Sequence, residues 1–151
     1  MDAFRTSDEI LDYAIEREEE SFAFYTGIAN SAENRHIREL FHSFAREELL
    51  HKETLIEIKR DAEPILKGEK IGNLKIADYL PESEPGQSMN YPEALRLAMR
   101  REKAALHLYA DLAGRAGTDS LRNTFLMLAR EEAKHKLFLE LEYDQAILRE
   151  N

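Results

Sequence analysis

The sequence predicts an all-α fold: a four-helix bundle built from two related helical hairpins joined by one long crossover. Three observations carry this. Apolar residues recur at helical spacing in four separate stretches, and strand signals are absent. The second half repeats the first, since Glu9–Ile58 laid on Glu93–Glu142 without a gap gives 17 identities in 50 positions. Between the halves, Pro64 to Asn90 holds three of the four prolines and three of the six glycines, so the helical pattern is interrupted once. A length of 151 residues suits a single domain, 1–151.

The elements follow in order. Thr6 to Glu9 reads as a capping box ahead of a first helix, 7–31, whose apolar positions include Leu11, Ile15, Phe22, Tyr25 and Ala29. Asn34 can cap a second helix, 34–62, striped by Ile37, Phe41, Phe44, Leu55 and Ile58 and ended by Glu63-Pro64. The crossover, 63–90, leaves room for a short helical or extended piece between Ile71 and Leu80. Its length is what a bundle needs when two neighbouring helices run parallel and the chain must return along them. Asn90-Tyr91-Pro92 opens a third helix, 91–116, on Leu95, Met99, Leu106, Tyr109 and Ala113, with Gly114 and Gly117 at its end. Thr118-Asp119-Ser120 caps a fourth, 119–149, on Leu121, Phe125, Leu128 and Leu139.

Composition excludes several functions. The net charge of −9, with Lys and Arg scattered, gives no basic patch for nucleic acid. The absence of cysteine excludes disulfides, zinc fingers and iron–sulfur centres on this chain's thiolates. Residues 1–7 hold no apolar run, and no stretch approaches 18 apolar residues, so neither a secretory signal nor a membrane span is expected. A cytoplasmic location is the expectation.

The chemistry sits in the best-repeated stretch. Ala45-Arg46-Glu47-Glu48-Leu49-Leu50-His51-Lys52 recurs 84 residues later as Ala129-Arg130-Glu131-Glu132-Ala133-Lys134-His135-Lys136, identical at six of eight positions. Each copy holds Glu-x-x-His, and residues three apart share a helix face. Glu48 with His51, and Glu132 with His135, therefore form two claws on the core-facing seams. The seams of the first and third helices carry Glu18 and Glu102, 30 residues before the claw glutamates in both halves. An isolated buried carboxylate is costly and is normally paired or bound to metal. No seam position is basic, and two divalent cations would cancel four negative charges, which points to a dinuclear site.

Glu-x-x-His alone means little here, because four of the five histidines satisfy it. Glu33/His36 and Glu39/His42 lie off the seam, and their repeat counterparts are Gly117/Ser120 and Asn123/Leu126. His107 is also off the seam. Among Glu16 to Glu20 only Glu18 recurs, so Glu16, Glu19 and Glu20 are expected on a solvated face. Glu47 and Glu131 recur one step off the claws, as outward residues or as partners of a ligand. Tyr25 and Tyr109, two turns after Glu18 and Glu102, are either core aromatics or hydroxyls that orient a carboxylate.

At these residues the chain resembles the ferritin-like superfamily of di-iron carboxylate proteins, and within it the rubrerythrin-like group. The pattern of one glutamate from each of two helices and Glu-x-x-His from each of the other two is the general one for such bundles. The resemblance implies that Glu18 and Glu102 are terminal carboxylates, that Glu48 and Glu132 bridge the metals, and that His51 and His135 each cap one metal. It departs from rubrerythrins proper in lacking the Cys₄ iron domain and in having Ala105 where a second helix-3 glutamate would stand. Residues 1–151 show no fifth short helix of the cage-forming ferritins, so a 24-subunit storage shell is not expected.

The expected cofactor is a pair of metal ions, iron first, with manganese and zinc also satisfying oxygen and imidazole donors. The leading expectation is an oxidoreductase that reduces hydrogen peroxide, with Tyr25 or Tyr109 assisting and an external protein supplying electrons. The alternatives are a ferroxidase that uses dioxygen, a non-catalytic metal-binding or metal-sensing module, and a plain bundle whose charges are satisfied internally. The expected assembly is a homodimer, with hairpin exchange across the crossover as one route to it.

Overall fold

The computed structural model describes residues 4, 6–61, 75, 79 and 90–150. Four helices account for nearly all of them: α1 (Ser7–Ser31), α2 (Arg35–Arg60), α3 (Tyr91–Gly114) and α4 (Asp119–Glu150). Most of the crossover, including the piece expected between Ile71 and Leu80, lies outside the described residues. Among the described residues no helix is long and apolar enough to cross a membrane.

Side-chain caps set where each helix begins. Thr6 Oγ1 accepts the Glu9 N–H at 3.1 Å. Asn34 Oδ1 accepts from His36 and Ile37 at 2.8 and 3.2 Å. Asn90 and Glu93 form a full capping box, each side chain accepting the other's backbone N–H at 2.9 and 3.1 Å. Thr118 Oγ1 accepts from Leu121 at 3.1 Å. Each such cap contributes about 1 kcal/mol by satisfying N–H groups that the helix leaves over. Lys59 and Arg60 in the last turn of α2 face the negative end of its dipole.

Helices α1 and α2 pack along their length, as do α3 and α4. The direction of the other pairs follows from their contacts. Tyr109 of α3 reaches Glu18 of α1, whereas Arg101, earlier in α3, reaches Glu20, later in α1. His51 of α2 meets Glu131 of α4, and His135, later in α4, meets Glu47, earlier in α2. Both cross-pairs are therefore antiparallel, which makes α2 and α3 parallel to each other. Two parallel helices joined in sequence need a connection that runs the length of the bundle. Tyr79 of that connection is buried and donates its hydroxyl to Asp111 of α3 at 2.8 Å, with its ring tilted against that of Phe4 at 6.5 Å.

The apolar core is in two halves. One gathers Ile10, Leu11, Ala14, Leu55, Leu108, Leu112, Phe125 and Leu128, with Phe4 and Tyr79. The other gathers Tyr25, Ala29, Phe41, Phe44, Leu95, Ala98 and Leu139. On every helix the two halves are separated by the same kind of gap, and the polar residues of the seams fill it.

Candidate metal centre

The gap between the two core halves holds Glu18 from α1, Glu48 and His51 from α2, Glu102 from α3, and Glu132 and His135 from α4. All six are at most 2 % exposed. The helical repeat places them there: each sits on the same stripe as the leucines and aromatics that flank it, so the packing that buries Phe41 and Leu55 also buries Glu48 and His51. Two overlapping groups result. Glu18, Glu48, His51 and Glu132 have ligand atoms within 4.8 Å of one another, and so do Glu48, Glu102, Glu132 and His135. Glu48 and Glu132 belong to both.

The donor atoms converge without satisfying each other. His51 Nδ1 lies 3.2 Å from Glu48 and 3.5 Å from both Glu18 and Glu132. His135 Nδ1 lies 2.8 Å from Glu102, 3.5 Å from Glu132 and 3.7 Å from Glu48. These approaches are close enough for attraction but off the line a hydrogen bond needs. Eleven buried side-chain polar atoms among the described residues lack a hydrogen-bond partner, and eight belong to these six residues. Buried polar atoms are nearly always paired. A concentration of orphaned carboxylate oxygens and imidazole nitrogens at one level is the donor set for divalent cations, and these residues fit two of them.

Around this layer, two carboxylates cross between hairpins. Glu131 Oε1 of α4 lies 2.6 Å from His51 Nε2 of α2, and Glu47 Oε2 of α2 lies 3.2 Å from His135 Nε2 of α4. Each glutamate thus holds the outer nitrogen of the other half's histidine, which turns Nδ1 inward. Tyr109 donates its hydroxyl to Glu18. Its repeat partner Tyr25 stands edge-on to the His135 ring, with centroids 6.2 Å apart. Phe44 stacks on the same imidazole at 4.1 Å and meets Tyr25 edge-on, with centroids 5.5 Å apart.

The remaining histidines lie elsewhere. His36 is exposed and His42 half-buried, neither in a ligand group, and Glu39 pairs with Arg35 instead. His107 is exposed, 3.3 Å from Asp111. Glu16, Glu19 and Glu20 are exposed. Helix α3 departs from the seam read off its periodicity: Leu97 and Leu108 are buried, whereas Met99 and Leu106 are only partly so.

Burial and mutual interaction shift the ionisation of all six residues. Burial, and then the charge of Glu48, pushes Glu18 up to about 7 and Glu102 up to about 8. Burial and the charges of Glu102 and Glu48 hold Glu132 well above the carboxylate range. For Glu48, burial raises the pKa, but the close approach of His51 and Glu132 and the charges of the two imidazoles outweigh it, and the carboxyl ends below its ordinary value. Burial lowers His51 and His135, yet the carboxyls of Glu18 and Glu48 close beside the first raise it to about 11, and that of Glu102 raises the second to about 9. Burial, then Glu102 for Tyr25 and Glu18 for Tyr109, keeps both phenols protonated.

A two-hairpin bundle with shared carboxylates at its midline is the architecture of ferritin-like metal proteins. The rubrerythrin family model matches residues 9–143, and the chain belongs to the rubrerythrin family. Two solved structures share its fold. One, from Thermotoga maritima, is described as a ferritin-like diiron-carboxylate protein; it is 21 % identical, with a TM-score of 0.76 over 97 % of this chain and 99 % of its own. The other, a hypothetical protein from Pyrococcus furiosus, is 24 % identical, with a TM-score of 0.71 over 90 % of this chain and 87 % of its own. No curated protein matches the sequence.

Proposed function

We propose that this chain is a dinuclear-metal oxidoreductase, with iron as the resident metal, that reduces hydrogen peroxide using electrons from an external donor protein. The observation that carries the reading is the pair of overlapping ligand groups sharing Glu48 and Glu132 in a layer closed off by apolar core on both sides. Glu18 and Glu102 would each serve one ion, Glu48 and Glu132 would be shared between both, and His51 and His135 would supply the imidazole donors. A pair of iron ions held there would supply two electrons together, which is the stoichiometry of peroxide reduction to water.

The chain's own residues set the conditions. Four carboxylates balance the charge of two divalent ions, so loading the site leaves no net charge in the core. Glu131 and Glu47 fix the two imidazoles with Nδ1 inward. Tyr109 holds one oxygen of Glu18 and, with its phenol protonated, keeps a proton within the layer. The apolar halves exclude bulk water.

Stopped-flow mixing of the ferrous protein with hydrogen peroxide, and separately with dioxygen, tests the reading. Faster oxidation by peroxide than by dioxygen supports it. Preference for dioxygen with ferric product retained would make the chain a ferroxidase. Oxidation no faster than that of free ferrous ion by either reagent would remove both enzymatic readings and leave a metal-binding module.

A further inference from the structure

Helix α4 carries apolar surface that its own bundle does not use. Leu126 is 36 % exposed, and Leu137, Leu141 and Leu148 are 58–69 % exposed. These leucines are not scattered. At 100° per residue they share an arc of about 80° with Arg130, Ala133 and Asp144, and the stripe runs about 33 Å. Arg130 and Asp144 are exposed as well.

The internal repeat supplies a control. Helix α2 holds the equivalent place in the other hairpin, and there the residues matching Leu126, Leu137 and Leu141 are His42, Glu53 and Glu57. The bundle itself therefore makes no demand for leucine at these positions. Contiguous exposed apolar surface of this kind marks a contact with another molecule.

The order of residues along the stripe identifies that molecule. From Leu126 through Arg130, Ala133, Leu137, Leu141 and Asp144 to Leu148 the steps are 4, 3, 4, 4, 3 and 4, the same from either end, with Leu137 at the centre. Laid antiparallel against itself about a twofold axis at Leu137, the stripe matches large with small and plus with minus. Leu126 meets Leu148, Ala133 meets Leu141, Arg130 meets Asp144, and Lys134 beside them meets Glu140. A twofold axis makes each of these contacts twice. We propose that α4 pairs with α4 of a second copy of this chain, antiparallel and centred on Leu137, to form a homodimer. A helix shaped for an unrelated partner has no reason to complement its own reversal. The charge pairs at Arg130 and Asp144 set the register, as flanking charges do in paired helices. This pairing leaves each metal layer complete within its own chain, so it stands apart from the proposed function.

Sedimentation equilibrium and thiol cross-linking test the proposal on the full-length protein. The wild type should sediment as a dimer at micromolar concentration. L137E places two carboxylates on the axis, and R130D sets two pairs of aspartates against each other; each should weaken association at least about thirtyfold. R130D/D144R should return it to within about threefold of wild type. All these positions are exposed, and unchanged circular dichroism and metal content serve as the check on folding. The chain has no cysteine, so introduced thiols are unique. With a short bis-maleimide, L137C should cross-link to itself and a mixture of R130C with D144C should cross-link, whereas R130C alone should not. A monomeric wild type, a dimer indifferent to L137E and R130D, or failure of the double charge reversal to rescue would each overturn the proposal.

Discussion

Glu131 Oε1 lies 2.6 Å from Nε2 of His51, a histidine on the opposite hairpin. Glu47 and His135 repeat the relationship in reverse at 3.2 Å. Each half of the duplicated chain therefore supplies the carboxylate that aims the other half's imidazole.

Crossed dependence follows. Glu131→Ala should weaken the ion beside His51 by roughly 10–100-fold, while Glu47→Ala should do so beside His135. Cobalt titration followed by visible absorption distinguishes the two, because E131A should lose the same spectral component as H51A and not that of H135A. Loss of the His135 component instead would contradict the crossing.

Glu48 stands in both ligand groups, whereas Glu39 is exposed and paired with Arg35. Glu48→Ala should lower metal content at both positions, and Glu39→Ala should leave it at the wild-type level. Equal metal content in the two variants, measured by plasma mass spectrometry, would refute the assignment of Glu48 as a bridge.

The metal-free protein should be most stable in mild acid. Glu18 and Glu102, raised to about 7 and about 8, bind protons more tightly folded than unfolded, and so do His51 and His135, raised to about 11 and about 9. Stability from such groups is full below their unfolded pKa values and is lost as pH rises through the folded ones. Glu48, lowered, works the other way but is one group against several. The Tm of chelator-treated protein should therefore fall between about pH 5 and pH 9. Metal loading should reverse the trend over the lower part of that range, because the ligands must shed protons to bind. A metal-free Tm that rises across this interval would contradict the electrostatic account.

Tyr109 satisfies one oxygen of a carboxylate that is otherwise sealed in the core. Tyr109→Phe should destabilise the metal-free protein by about 1–3 kcal/mol, the cost of leaving a buried acceptor unpaired. Urea unfolding of the two proteins in chelator gives the difference, and a neutral result would mean that the hydroxyl is dispensable to the layer.

Much of this architecture was legible in the sequence because local and global signals agree. Asn34, Asn90 and Thr118 announce helix starts and do cap them. The claws stood out only through register: Glu48 and His51 lie on the stripe of Phe41, Phe44 and Leu55, while His36 and His42 do not. Other features depend on how helices pair. The partner of Glu131 could not be read from its spacing, since it lies 80 residues away on a helix whose antiparallel setting had to be known. Leu108 is buried rather than Leu106 because α3 packs against both α1 and α4, which widens and rotates its apolar face beyond a single stripe. The burial of Tyr79 against Phe4 and Asp111 has no periodic signal at all, coming from a segment without repeating pattern.

The central claim is that six residues from four helices hold two ions side by side at the middle of the bundle. Anomalous diffraction at the iron edge from crystals of the iron-loaded protein tests it directly. The account predicts two peaks per chain, one between Glu18 and His51 Nδ1 and one between Glu102 and His135 Nδ1, with Glu48 and Glu132 contacting both. A single peak, or peaks at exposed carboxylates with none in the buried layer, would contradict it.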